Sequence, residues 1–277
     1  MALSVLTNIP SIAAQNALAA TNAGLQKTLF RMSSGSRINS GADDAAGLAI
    51  ADGLKASITA LTQSARNAND GVGSLQVADG ALAQVTNLLN RAITLATEAA
   101  TGTVGDTQRT ALDAEFTAIK AEIDRIGSNT TFNGASVFSA TTTSIFLGDA
   151  SSSSEITVTT GALSSSAIGT GTAVDLSDDD LTSAANASTA LGEINDAIAA
   201  VAAMRGDLGA TINRLQAAAS VIQNQVQNLT AAEDGIRAAD MAAEVAALTK
   251  YSVLTQTGMA AIAQANAHQQ SVLALLR

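Results

Sequence analysis

Between Leu191 and Ile236 the apolar positions recur without a slip. Leu191, Ile194, Ile198, Val201, Arg205, Leu208, Ile212, Leu215, Ala219, Ile222, Val226, Leu229, Glu233 and Ile236 alternate steps of three and four, and only Arg205 and Glu233 are charged. This is the seam of a helix packed against other helices along its length. At ~1.5 Å per residue the helix runs roughly 70 Å, whereas a compact globule of this chain length is roughly 50 Å across. The spacing therefore predicts a mainly α, elongated coiled-coil or helical-bundle rod. Composition points the same way. The 277 residues are 47% apolar but only 2% aromatic, without Trp and with one Tyr. Ala dominates the apolar share and buries little area per residue, which favours long, closely packed helices over a thick globular core.

The rest of the chain is helical at both ends and β-prone in the middle. Thr7-Asn8-Ile9-Pro10 reads as a helix start, with a capping side chain and a Pro tolerated in the first turn. Leu18, Asn22, Leu25, Leu29 and Met32 then step as a seam until Gly35, Gly41 and Gly47 mark a loop. A second seam joins Ile50, Leu54, Leu61, Ala65, Ala68, Val72, Leu75, Leu82, Val85 and Leu89, ending near Thr101-Gly102. A third helix is expected from Asp106, with Leu112, Phe116, Ile119, Ile123 and Ile126 as its stripe and Gly127 as its stop. The last stretch, about Met241 to Leu276, carries Leu254, Gly258, Ala261, Ala265, His268, Val272 and Leu275. Val245, Leu248, Met259 and Ile262 broaden that stripe beyond what a thin rod can bury. Apolar surface of this kind marks a partner surface, for the other terminal segment and for neighbouring copies. In the middle, Asn133-Gly134 is a type I′ turn signal. Short strands are expected at Val137-Phe138, Ile145-Phe146-Leu147 and Ile156-Thr157-Val158-Thr159. Residues 139–172 are about half Ser and Thr, which predicts a solvated surface.

Chemistry is scarce. Fourteen Lys and Arg against 24 Asp and Glu leave a net charge of −10, which argues against nucleic-acid binding. Without Cys there are no disulfides, thiolates or zinc knuckles, and one His, His268, cannot build a His metal site. The run DLSDDD (175–180) lacks the glycine and distal Glu of a calcium loop and reads as a charged helix cap. Asp43-Asp44 reads as caps at a helix start, and Gly71-Val72-Gly73 lacks the strand that a dinucleotide site requires. His268 on an apolar stripe reads as a packed side chain. No catalytic, cofactor or metal site is expected, and no enzymatic activity. No apolar run approaches ~18 residues, so no membrane insertion is expected. MALSVLTNIPSIAAQ lacks the basic region and compact apolar block of a secretory signal peptide.

Longer motifs point further. SSGSRINSGADDAAGLAIADGL (33–54) and ARNANDGVGSLQVADGAL (65–82) resemble the N-terminal signature of bacterial flagellins. MRGDLGATINRL (204–215), IRAADMAAEVAALTK (236–250) and QANAHQQSVLALLR (264–277) resemble the C-terminal signature, and TFNGASVF (131–138) the family's hairpin segment. The resemblance implies a terminal coiled-coil domain D0 at about 1–42 with 236–277. It implies a rod domain D1 at about 43–162 with 181–235, including the β-hairpin region at about 131–160. Only 163–180 is left as a surface loop in place of outer domains, which describes a minimal flagellin. The resemblance further implies a subunit of the extracellular helical filament used for swimming, with termini disordered in the monomer and ordered on polymerisation. Its partners would be further copies of itself, an export chaperone, the type III export apparatus, the filament cap and hook-associated proteins.

The resemblance also assigns roles to residues. Leu18, Leu25, Leu29, Leu254, Ile262, Val272 and Leu275 would form the inner assembly core. Arg31, Arg37, Asp43 and Asp44 match the family's inter-domain and inter-subunit polar segment, with solvated loop charges as the alternative. The segment recognised by the innate immune receptor for flagellin corresponds to Asn90, Arg91, Ala92, Ile93, Thr94 and Leu95. Arg91 and Leu95 match there, but Ile93 and Thr94 replace a charged pair, so weak receptor activation is expected. The C-terminal signature often carries Pro where Ala267-His268-Gln269 stands. Ser151, Ser152, Ser153, Ser154, Ser164, Ser165 and Ser166 are candidate O-glycosylation sites, or simply an unmodified solvated loop. Alternative functions are a hook–filament junction protein and a surface-displayed adhesin or glycan-binding variant. The latter needs a larger variable domain than 163–180 allows.

Overall fold

The computed structural model describes residues 7–139, 141–149, 154–170 and 174–275, and side chains as far as 271. Among these, five helices dominate: α1 (Ile9–Ser34), α2 (Ala45–Ala100), α3 (Asp106–Asn129), α4 (Ala184–Arg237) and α5 (Met241–Leu275). Six short strands, β1 (Thr131–Phe132), β2 (Ala135–Ser136), β3 (Thr143–Phe146), β4 (Glu155–Val158), β5 (Ala162–Ser164) and β6 (Ala167–Gly169), pair antiparallel as β1–β2, β3–β4 and β5–β6. The fold is mainly α, as the periodicity indicates. Residues 57–227 form one compact unit, the central unit, and residues 1–56 with 228–277 form the other, the terminal unit.

The central unit holds large side chains in its core. On α2, Leu61, Leu75, Leu82, Val85 and Leu89 are buried; α3 adds Phe116, Ile119 and Ile123. The eleven seam positions of α4 that lie in this unit, Leu191 to Val226, are buried or half-buried. Arg205, one of the two charged seam positions, pairs with Asp79 on α2 at 2.7 Å. Arg109 closes the turn from α2 to α3. Its guanidinium, 8% exposed, donates to the carbonyls of Ala99 at 2.8 Å and Thr101 at 3.0 Å. The Ala99 carbonyl is one of the end-of-helix acceptors left without an intrahelical partner, and the Thr101 carbonyl also accepts the Val104 N–H at 3.2 Å.

The middle of the chain departs from the sequence expectation in three respects. The turn is as expected, with φ of 50° at Asn133 and 79° at Gly134. However, a two-residue turn fixes Phe132 opposite Ala135, so Val137 and Phe138 lie beyond the ladder and are buried there. Gly127 does not stop α3, which continues to Asn129. It is buried within the helix, where a Cβ would collide with the Leu163 carbonyl oxygen of β5. Its absence of side chain serves close approach of a strand, not a cap. Finally, the Ser/Thr-rich stretch is not uniformly solvated: Leu147, Val158, Leu163 and Ile168 are buried. Strands bury one face and solvate the other at period two, so composition averaged over both faces concealed the inner one.

Candidate assembly surface

In the terminal unit α1 and α5 run antiparallel along one another, as four contacts in sequence establish. Asn8 Nδ2 donates to the Ala265 carbonyl at 3.2 Å, Leu18 lies against Gly258, Gly24 against the Tyr251 ring, and Arg31 Nη1 meets Glu244 Oε1 at 3.4 Å. Each end of α1 is fixed locally. Asn8 Oδ1 accepts from the Ser11 N–H at 3.1 Å, and Gly35 ends the helix with φ of 68°, as side-chain and glycine caps do.

The face of α1 turned to α5 is Ser11, Ala14, Leu18, Thr21, Gly24, Leu25, Thr28 and Met32, each buried or half-buried. Its counterpart on α5 is Ala247, Tyr251, Thr255, Gly258, Ile262 and Ala265. This corrects the expected seams. Asn22 and Leu29 on α1, and Leu254, Ala261 and His268 on α5, face away and are exposed. Small residues such as Gly24 and Gly258 let the two helices approach closely, and because large apolar side chains stand on both faces, a search for them mixes the two. The outward face is correspondingly greasy: Ile9, Ile12, Leu29, Phe30, Met241, Val245, Val253, Leu254 and Met259 are all exposed. Among the described residues, the buried apolar side chains of the terminal unit are Ile38 and Ala51 alone.

The expected assembly residues therefore separate. Leu18, Leu25 and Ile262 are half-buried within the α1–α5 seam; Leu29 and Leu254 are exposed. The side chains of Val272 and Leu275 lie outside the described residues.

The polar segment between α1 and α2 is a network. Asp43 pairs with Lys27 at 2.7 Å and with Arg31 at 3.8 Å, and accepts from Ser40 Oγ at 3.2 Å. The Lys27 ammonium, bonded to it, holds the Asp43 carboxyl down at about 2. Arg31 thus joins the end of α1, the loop and the first turn of α5. Arg37 clamps the end of α4: its N–H donates to Arg237 O at 2.7 Å and its Nη2 to Ile236 O at 2.8 Å. Asp44 stands apart and caps α2, accepting the Gly47 N–H at 2.9 Å. Lys27, Glu244 and Arg237 complete this network and were not singled out from the sequence. Their signal was only a charge beside an expected helix end.

The remaining candidates lie in the central unit. Arg91 is exposed and its Nε meets Glu115 Oε1 at 2.7 Å. That bond raises the guanidinium's affinity for its proton and lowers that of Glu115. Asn90 and Thr94 are exposed, Ile93 half-buried and Leu95 buried. Ser154 and Ser166 are exposed and Ser164 half-buried, whereas the Ser165 hydroxyl is held by Asp124 Oδ2 at 2.9 Å. Ser151, Ser152 and Ser153 lie outside the described residues. Within DLSDDD, Asp180 accepts from the Thr182 N–H and from Asn186, next to the start of α4. Among the described residues no three His, Asp or Glu side chains gather as metal ligands, and no helix is long and apolar enough to cross a membrane.

Comparison with known proteins agrees with this geometry. Residues 5–143 match the model of the bacterial flagellin N-terminal helical region, and residues 191–276 that of the bacterial flagellin C-terminal helical region. A flagellin of Halalkalibacterium halodurans is 37% identical, and flagellin FlaB2 of Treponema pallidum 35% identical, each alignment covering 98% of both chains. A solved structure of a Vibrio parahaemolyticus protein described as flagellar hook-associated superposes with a TM-score of 0.58 at 15% identity. It covers 71% of this chain and 100% of that one, and shares the fold.

Proposed function

The chain belongs to the bacterial flagellin family, and from that membership we propose how its two ends are used. It is a structural subunit of the extracellular flagellar filament and not an enzyme. The α1–α5 pair is the surface through which copies assemble. One observation carries this reading: the intramolecular seam mixes small and polar side chains with Leu18, Leu25, Met32, Tyr251 and Ile262, which it leaves only half-buried, while Leu29, Phe30, Val253, Leu254 and Met259 are exposed. Neighbouring copies that cover this face supply the apolar burial that the terminal unit lacks alone. A contact of this kind, repeated without closing, generates a helical fibre.

In an isolated copy the terminal segments bury too little to offset roughly 1–2 kcal/mol of backbone entropy per residue. They are disordered there and order on polymerisation. Residues 1–42 with 236–277 serve as the terminal domain, and 43–162 with 181–235 as the rod domain, with 163–180 in place of outer domains. Leu18, Leu25, Leu29, Leu254, Ile262, Val272 and Leu275 line the inner core. Arg31, Arg37, Asp43 and Asp44 hold the junction. Export by a type III apparatus with a chaperone, and contact with cap and hook-associated proteins, follow from the family. At 35 and 37% identity over nearly the whole chain, flagellins support this reading over a hook–filament junction protein.

Hydrogen exchange tests it. Monomer should exchange rapidly over 9–34 and 241–275 while 61–99 and 187–222 stay protected, and seeded filaments should protect all four. Strong protection of both ends in a monomer that does not polymerise would overturn the proposal.

A further inference from the structure

The segment that leads into α4 is fastened to the central unit by a set of contacts that filament formation does not explain. Leu176 and Leu181 are fully buried on either side of Asp178-Asp179-Asp180. The Leu176 N–H donates to Ser165 O at 2.7 Å, and the Leu181 N–H to Asp113 Oδ1 on α3 at 2.8 Å. Lys120 of α3, stacked over the Phe116 ring at 5.0 Å, donates to the carbonyls of Ser177 at 3.1 Å and Asp179 at 2.7 Å. The ammonium is therefore hydrogen-bonded to backbone oxygens, not to a carboxylate.

That leaves Asp179 in an awkward position. Its Oδ2 is buried, and among the described residues no donor reaches it. Its side-chain neighbour is the Glu193 carboxyl on the third turn of α4, a like charge. Two carboxyl groups side by side can bond only through a shared proton, because two carboxylates at that range repel. The other charged groups facing it are Asp175, which adds repulsion, and Lys120, which partly offsets it. Asp180 is taken up by Thr182 and Asn186, and Asp113 by the Leu181 N–H.

We propose that Asp179 and Glu193 share one proton and so form a proton-dependent clasp, which fastens residues 175–181 to α3 and α4 and loosens when the proton leaves. Burial, and then Glu193, raise the Asp179 carboxyl from 3.8 to about 6. A carboxyl raised on folding contributes most to stability below its unfolded value, and that contribution is lost as pH rises through about 6. The clasp is thus fastened in mild acid and weakened at neutral pH. This lies outside the role of the terminal helices and stands whether or not they assemble as proposed.

The test is hydrogen exchange on the full-length monomer between pH 5 and 7.5, with protection factors corrected for the intrinsic rate at each pH. Protection of the Leu176, Asp179 and Leu181 amides should fall roughly three- to tenfold over that range, the upper figure for the full shift and the lower for solvent screening. Amides of Leu82–Leu89 in the core of α2 serve as the pH-insensitive reference. In Asp179→Asn the dependence should vanish and protection at pH 7.5 should approach that at pH 5, and in Glu193→Gln, where burial alone still raises Asp179, it should shrink. A flat wild-type profile, or a dependence that survives both substitutions, would overturn the clasp. If one variant fails to fold by circular dichroism, the other and the wild-type profile still decide.

Discussion

Replacing Val253, Leu254 and Met259 together by Gln should leave the subunit folded yet nearly unable to polymerise. The three residues sit on the outward face of α5, at 51, 41 and 54% exposure, so the α1–α5 seam loses nothing. Gln has a helix propensity close to that of Leu and Met and better than that of Val, so α5 itself is not weakened. Fully burying such a side chain is worth about 1.5–3 kcal/mol. Roughly half of each is still exposed, leaving about 1 kcal/mol per residue to be gained when a neighbour covers it. Losing all three removes about 3 kcal/mol per added subunit, and at ~1.4 kcal/mol per tenfold the critical concentration should rise roughly 100-fold. Pelleting of seeded filaments over a concentration series reads this directly. A triple variant whose critical concentration stays within about threefold of wild type would refute the claim that this face is covered by neighbours.

Other perturbations probe separate parts of the chain. Gly127→Ala puts a methyl into the Leu163 carbonyl. Despite a helix-propensity gain near 1 kcal/mol it should destabilise the central unit by about 1–3 kcal/mol in urea unfolding. Asp43, held at about 2 by Lys27, contributes stability that is present above its unfolded value near 4 and lost as pH falls through about 2. An acid titration of filaments followed by light scattering should therefore show part of its loss between pH 4 and 2, and Asp43→Asn should lack that part. Receptor-bearing reporter cells should respond weakly to purified protein, since Arg91 is already bonded to Glu115 and Leu95 is buried. Full potency at ordinary concentrations would contradict this.

The central unit was readable from the sequence because there pattern and burial coincide. Every seam position of α4 from Leu191 to Val226 is buried or half-buried, and the Asn133-Gly134 turn has the backbone angles its residues demand. The α1–α5 seam was readable only in part. Leu18, Gly258 and Ala265 lie on it, but Leu29, Leu254 and His268 do not. Both faces of α5 carry apolar residues three and four apart, so periodicity alone cannot say which one meets α1. The deciding feature is steric: Gly24 opposite Tyr251 and Gly258 opposite Leu18. That complementarity exists only between two helices already aligned. Gly127 was misread for a related reason, since a glycine near a helix end signals a cap, and nothing local announces a strand 36 residues later in the chain.

The two units thus solve opposite problems with the same periodicity. In the central unit the seam is filled by Leu82, Leu89, Phe116, Ile194, Leu208 and Leu215, side chains large enough to hold helices together without help. In the terminal unit much of the seam is given to Ser11, Thr21, Gly24, Thr28, Thr255 and Gly258, its larger members Leu18, Leu25, Met32, Tyr251 and Ile262 are only half-buried, and Leu29, Phe30, Val253, Leu254 and Met259 are turned out. A helix pair that kept its Leu and Phe inside would be more stable as a monomer and would offer neighbours only a polar face. Turning them out leaves apolar surface exposed on the pair, which the proposed assembly would cover. On the proposed assembly, the large-residue core of the central unit needs no neighbour to form, whereas the terminal helices would gain most of their apolar burial from further copies.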